Sequence, residues 1–227
     1  MKEIFQYLDY FVQSLKNRGV IFTFKLLWNE WKWERYLKIK TLKIENLDTL
    51  NLGEIKNSSV FHHYQGASYF ILNKTLGQIP KEYKSGRFID LGCGKGRVLI
   101  MAYINGFRSL SGVDLASELL DQSRINIDAC RNKFPEIHAD LIQEDAGKYY
   151  FPSDTSVVFL FNPFGEEVMK NVIQNLLHFQ KEFKQSPLVI YVNPKFEELW
   201  LANGFKKIYE LRSKKYNEAI LLKKTTE

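Results

Sequence analysis

The chain has 227 residues, 45% of them apolar and 15% aromatic, enough for a substantial core in one domain with an elaboration. Its formal charge of +6 permits an acidic partner but is too mild to demand one. Two cysteines exclude a disulfide framework, and no run of eighteen uncharged apolar residues is present to span a membrane.

Ile4, Leu8, Phe11 and Leu15 recur at steps of four, three and four, which predicts a helix over 3–17. A second helix is predicted over 20–38, crowded with Phe22, Phe24, Leu27, Trp28, Trp31, Trp33 and Tyr36. It reads either as a cap that meets a substrate or as a helix packed on the sheet with a solvated charged face. Residues 1–60 hold ten Lys and Arg against seven acids, which is no polybasic tract and favours packing. Residues 39–60 read as a linker or irregular cap. The expected division is therefore a helical N-terminal extension over 1–60 and an α/β domain over 61–227.

A third helix is predicted over 66–77. Strands and helices then alternate: strands at 87–91, 109–113, 137–142, 156–161 and 188–192, with helices reaching 105 and spanning 117–133, 166–184 and 195–203. The run Ser156 to Phe161 is almost continuously apolar, as a strand buried on both faces should be. Two strands, 206–212 and 217–223, close the chain. Alternating βα units imply a mostly parallel sheet with helices on both faces, and the terminal hairpin requires one reversed strand. The basic residues of that hairpin, among them Lys206 and Lys215, read as a solvated edge.

Chemistry concentrates at the first βα turn, Asp90-Leu-Gly-Cys-Gly-Lys-Gly96. Glycines at 92, 94 and 96 let the backbone turn sharply and lie against a ligand. The nicotinamide fingerprint G-x-G-x-x-G is not met, because Arg97 stands at its last glycine. The nucleoside-triphosphate loop fails too, because Lys95 is followed by Gly96 and Arg97. Asp90 would repel a pyrophosphate and attract a ligand carrying an ammonium and a sulfonium. That description fits S-adenosylmethionine.

Four segments in order resemble the class I, Rossmann-like, S-adenosylmethionine-dependent methyltransferases, over about 64–222. They are the glycine turn, Gly112-Val-Asp114, Glu144-Asp145-Ala146 and Phe161-Asn-Pro-Phe164. The resemblance implies a seven-stranded sheet with a reversed C-terminal strand. It implies that Asp90 helps hold the methionyl end, while Gly92, Cys93, Gly94 and Gly96 pass close to the cofactor. Asp114, 22 residues after Gly92, would accept from the ribose hydroxyls, with Leu115 beside it. Asp145 would accept from the adenine amino group and the next backbone N–H, that of Ala146, would serve a ring nitrogen; Glu144 competes for the first role. Tyr64 is a candidate lid over the cofactor, or else a buried side chain; the proline that follows it in related proteins is absent.

Asn162, Pro163 and Phe164 resemble the Asn-Pro-Pro-Tyr/Phe motif of enzymes that methylate planar nitrogens, and more closely an Asn-Pro-Phe form in uncharacterised bacterial members. An asparagine carbonyl and a rigid backbone carbonyl can aim an acceptor's lone pair at the methyl group, and an aromatic ring can hold the acceptor. Asn162 would also face the cofactor. Asn193, in a second Asn-Pro after the fifth strand, reads better as a turn.

The implied activity is methyl transfer from S-adenosylmethionine to a nitrogen on a protein side chain or small molecule. A nucleic-acid base, a nicotinamide oxidoreductase (opposed by Arg97 and Asp90) and a catalytically silent cofactor-binding module are the rivals. No metal site is expected, since His62 and His63 lack ligand spacing. Met1-Lys-Glu-Ile-Phe5 lacks the apolar core of a signal peptide, and Cys93 and Cys130 read as reduced thiols, so the expected location is the cytoplasm.

Overall fold

The structure, a computed structural model, describes residues 11–41, 45–46, 63–64, 66–161 and 164–225. Helix α1 covers residues 11–18, α2 Val20–Leu37, and a two-stranded ribbon pairs β1 (Glu45–Asn46) with β2 (His63–Tyr64). Helix α3 (Tyr69–Leu76) leads to a 3-10 turn at Lys81–Ser85, which lies outside the predicted elements. The α/β domain then runs β3 (Arg87–Leu91), α4 (Arg97–Ile104), β4 (Ser109–Asp114), α5 (Ser117–Cys130), β5 (Asp140–Gln143) and β6 (Thr155–Phe161). It ends with α6 (Glu166–Phe183), β7 (Leu188–Val192), α7 (Glu197–Ala202), β8 (Phe205–Arg212) and β9 (Asn217–Lys224).

The seven-stranded sheet has the order β5-β4-β3-β6-β7-β9-β8. Strands β3 to β7 pair in parallel, while β9 runs antiparallel to both β7 and β8. One reversed strand is thus inserted beside β7, and β8 forms the edge. Side chains alternate between two cores, as the two-residue period of a strand requires. On β7, Leu188, Ile190 and Val192 join the core with α3, α4 and α5, while Val189 and Tyr191 join the core with α6 and α7. Strand β5 starts at Asp140 rather than 137. Ile137 is buried, but its N–H closes a turn onto the Phe134 carbonyl (3.0 Å), so ladder pairing begins later.

The N-terminal helices are fastened to the domain by ion pairs and by packing. Arg18, at the end of α1, forms a two-pronged pair with Glu218 of β9 (Nε–Oε1 2.6 Å, Nη2–Oε2 3.2 Å). Helix α2 packs on α3, which itself lies against α4, β8 and β9. The inward face of α2 carries Thr23, Leu26 and Leu37. Its solvent face is more than the charged surface expected, because Phe24, Trp28 and Trp31 stand on it exposed.

Candidate active site at the carboxyl edge of the sheet

Strand β3 ends in the glycine turn, where Gly92, Gly94 and Gly96 have φ of +79°, +51° and +78°, a left-handed backbone that suits glycine. Gly96 is doubly constrained: a Cβ on it would lie 2.3 Å from Ser123 Oγ of α5. Asn126, also on α5, donates from Nδ2 to the Lys95 carbonyl (2.9 Å). Helix α5 therefore backs the turn from behind. A Cβ at Gly112 of β4 would stand 2.8 Å from Cys93 Sγ, so the neighbouring strand approaches as closely.

Asp114, at the tip of β4, ties the turn down. Its Oδ2 accepts from the Gly94 N–H (2.8 Å) and its Oδ1 from the Ala116 N–H (3.0 Å). Each carboxylate oxygen has a further lone pair, so the group can still accept from a ligand hydroxyl. Burial raises its pKa, against the pull of the backbone N–H groups.

Asp90 lies deeper, 1% exposed, and its Oδ2 has no hydrogen-bond partner among the described residues. Burial first, and then the Asp114 charge, push its carboxyl well above the usual range. The Cys93 thiol is pushed up by burial and by both carboxylates. Three groups thus resist carrying negative charge at one place, and an entering cation would relieve all three. An orphaned buried carboxylate oxygen beside a backbone cradle fits a ligand that carries an ammonium group. It does not fit a pyrophosphate.

Asp145 follows β5 and is half-buried; its Oδ1 accepts from the Gly147 N–H (2.8 Å), and Ala146 beside it is buried. The Glu144 N–H donates to the Asp114 carbonyl (3.1 Å), which sets this loop next to the tip of β4. Leu115 is half-buried, and its carbonyl accepts from Gln143 Nε2 (3.2 Å). The structure thus brings Asp90, the glycines, Cys93, Asp114, Leu115, Asp145 and Ala146 to the tips of three adjacent strands, β3, β4 and β5. Ligands of open α/β sheets bind at that edge.

Asn162 and Pro163 lie outside the described residues. Phe164 is buried in the core with α6. Only the backbone of Tyr64 is described, in β2 opposite Glu45. Asn193 is exposed with φ +50°, and its carbonyl accepts from the Lys195 N–H (2.9 Å), the geometry of a turn; its own N–H extends the β7–β9 ladder to the Glu218 carbonyl (2.8 Å).

Arg97 was legible only as a missing glycine, yet it is a centre of this region. It is 2% exposed and opens α4 directly after the glycine turn. Its Nη1 donates to Glu30 Oε2 (2.8 Å) and to the Ala67 carbonyl (2.9 Å), and its Nε donates to Thr41 Oγ1 (2.7 Å). Its Nη2 reaches Glu34 Oε1 (3.3 Å), and the guanidinium stacks over the Tyr69 ring at 4.2 Å. Burial, opposed by Arg97, raises the Tyr69 phenol well above its usual range. A cation at a helix N-terminus opposes the helix dipole. That position, and the Glu30/Glu34 pair one turn apart on a basic helix, were the available signals.

No family model matches the chain, and no curated protein does. Solved structures do. A ribosomal protein L11 methylase from Lactobacillus delbrueckii subsp. bulgaricus superposes with a TM-score of 0.52 at 17% identity, over 69% of this chain and 78% of that one. Magnesium protoporphyrin IX methyltransferase from Synechocystis PCC 6803, solved with bound S-adenosylmethionine, gives 0.50 at 11%, over 68% and 78%. The mitomycin 7-O-methyltransferase MmcR gives 0.52 at 10%, over 68% and 53%. With the strand order and the reversed β9, these similarities show that the chain has the class I, Rossmann-like methyltransferase fold.

Proposed function

We propose that this chain is a methyltransferase that draws its methyl group from S-adenosylmethionine and delivers it to a nitrogen on a protein side chain or small molecule. The observation that carries the reading is the orphaned Asp90 carboxylate, buried beside a left-handed glycine turn whose N–H is held by Asp114. When bound, the cofactor supplies a methyl on a positively charged sulfur, with a neutral sulfide as leaving group. Asp90 offers its unpartnered oxygen to an ammonium, directly or through water. The remaining lone pairs of Asp114 accept from ribose hydroxyls. Asp145 and the Ala146 N–H serve the adenine edge. The nitrogen preference rests on the Asn162-Pro163-Phe164 motif, in which the Asn carbonyl aims the acceptor. Orientation supplies most of the rate, and no strong base is needed unless the acceptor enters as an ammonium. The superposed enzymes act on a ribosomal protein, a porphyrin and a mitomycin, a spread that leaves the acceptor to experiment.

Titration calorimetry with S-adenosylmethionine and with a nicotinamide dinucleotide tests the cofactor: binding of the first alone supports the reading, and binding of the second alone overturns it. Methyl-labelled cofactor with fractionated cell extract tests the acceptor. Label in protein or small molecules is expected; label in nucleic acid overturns the acceptor class. Cofactor binding without label in any fraction would leave a silent binding module.

A further inference from the structure

The outward face of α2 is the largest feature that the cofactor site leaves unexplained. Val20, Ile21, Phe24, Leu27, Trp28 and Trp31 fall within one stripe of the helix and are 60%, 74%, 59%, 46%, 61% and 54% exposed. Isolated exposed apolar residues are ordinary, but a stripe of six large ones is not. Trp28 and Trp31 lie ring to ring at 5.1 Å, and the Arg35 guanidinium sits 5.5 Å over Trp31.

Along α2 and the described residues that follow it to 41, the outward charges have one sign. Between residues 20 and 41 the only acids are Glu30 and Glu34. Both are turned inward to Arg97 and are largely screened from solvent. Lys25, Lys32, Arg35, Lys38 and Lys40 remain exposed. The buried ion pairs thus subtract the negative charge of the helix from its outer surface.

We infer that the outer face of α2 docks on a membrane surface rich in anionic phospholipid headgroups. The partner must accept aliphatic and indole side chains together with a cationic fringe, over a convex helix. A bilayer interface does this: indoles settle at headgroup depth, aliphatic side chains reach the acyl boundary, and Lys and Arg meet lipid phosphates. Single-stranded nucleic acid would use the cations and the rings but gives Val20, Ile21 and Leu27 nothing to enter. Helix α2 is anchored to Arg97, next to the glycine turn, so docking places the cofactor edge close to the surface. No helix among the described residues is long and apolar enough to cross a membrane.

The test is co-sedimentation of the full chain with vesicles of phosphatidylcholine alone and of phosphatidylcholine mixed equally with phosphatidylglycerol, at low and high salt. Tryptophan emission is followed in parallel. The expected result is partition onto the mixed vesicles with a blue shift, weakened by salt. Trp28→Ser/Trp31→Ser should lose the blue shift and most of the partition while keeping the wild-type melting curve. Lys32→Glu/Arg35→Glu should weaken partition by roughly tenfold or more. Absence of partition, or partition unchanged in both variants, overturns the inference. It is also overturned if sedimentation equilibrium shows a dimer that Trp28→Ser/Trp31→Ser converts to monomer without vesicle binding. Displacement of the chain from mixed vesicles by single-stranded RNA, with retention of the RNA, does the same.

Discussion

Arg97 Nη1 stands 2.8 Å from Glu30 Oε2, and this contact joins the first residue of the helix after the glycine turn to a helix 67 residues earlier. With Glu34 it makes a triad whose charges are largely shielded from water. Removing the cation leaves two carboxylates facing each other in a poorly hydrated place. Arg97→Ala should lower stability by about 3 kcal/mol, read as a lower urea midpoint. Adding Glu30→Gln and Glu34→Gln should recover part of that loss. Equal midpoints for Arg97→Ala and wild type would remove the triad from the account.

Asp114 holds the glycine turn and faces the proposed ribose. Asp114→Ala should weaken S-adenosylmethionine binding by roughly tenfold to a hundredfold, the loss of hydrogen bonds to a charged acceptor. Calorimetry reads it directly. A variant that binds as tightly as the parent would remove Asp114 from the cofactor site.

The raised pKa of Asp90 carries a sign. Folded, the carboxyl keeps a proton that the unfolded chain has released, so stability declines as pH rises from the ordinary carboxylate range through the folded pKa. Each such proton contributes a slope of at most about 1.4 kcal/mol per pH unit. Asp114 shifts the same way, so Asp90→Asn should flatten the decline without abolishing it. An arriving ammonium favours the ionised carboxylate. Cofactor binding should therefore release a proton, seen as a binding enthalpy that depends on buffer ionisation, and Asp90→Asn should release less. A buffer-independent enthalpy for the wild type would show that Asp90 is already ionised or distant from the ligand.

Gly96 combines a φ of +78° with a Cβ position 2.3 Å from Ser123 Oγ. Gly96→Ala should destabilise by about 1–3 kcal/mol. Gly96→Ala with Ser123→Ala should recover only the steric part, because the backbone strain remains. Full recovery in thermal melts would show that the left-handed conformation is not required.

Strands β6 and β7 were legible because burial on both faces leaves almost uninterrupted apolar runs, and β7 falls at its predicted bounds, Leu188–Val192. The carboxylates at the tips of β3 and β4 were legible because a βα repeat places them at one edge. Arg97 was not, because its partners Glu30 and Glu34 lie more than sixty residues upstream, and a cation at a helix start and two acids one turn apart do not by themselves say that they meet. The packing side of α2 was equally hidden. Apolar side chains surround that helix, so periodicity could not tell the face that meets α3 from the face that meets solvent. The 3-10 turn at Lys81–Ser85 was missed because five residues after a proline carry no periodic signal.

Strand β9, the last described in the chain, is an interior strand, and β8 pairs with it alone. During synthesis β8 therefore emerges from the ribosome with no neighbour to join and must wait for the residues that follow it. The same late strand brings Glu218, the partner of Arg18 two hundred positions earlier, so α1 lacks that ion pair until β9 is made. A chain cut short before Asn217 would leave the border of β7 open to foreign strands. Premature termination should accordingly produce aggregates, with no stable smaller domain.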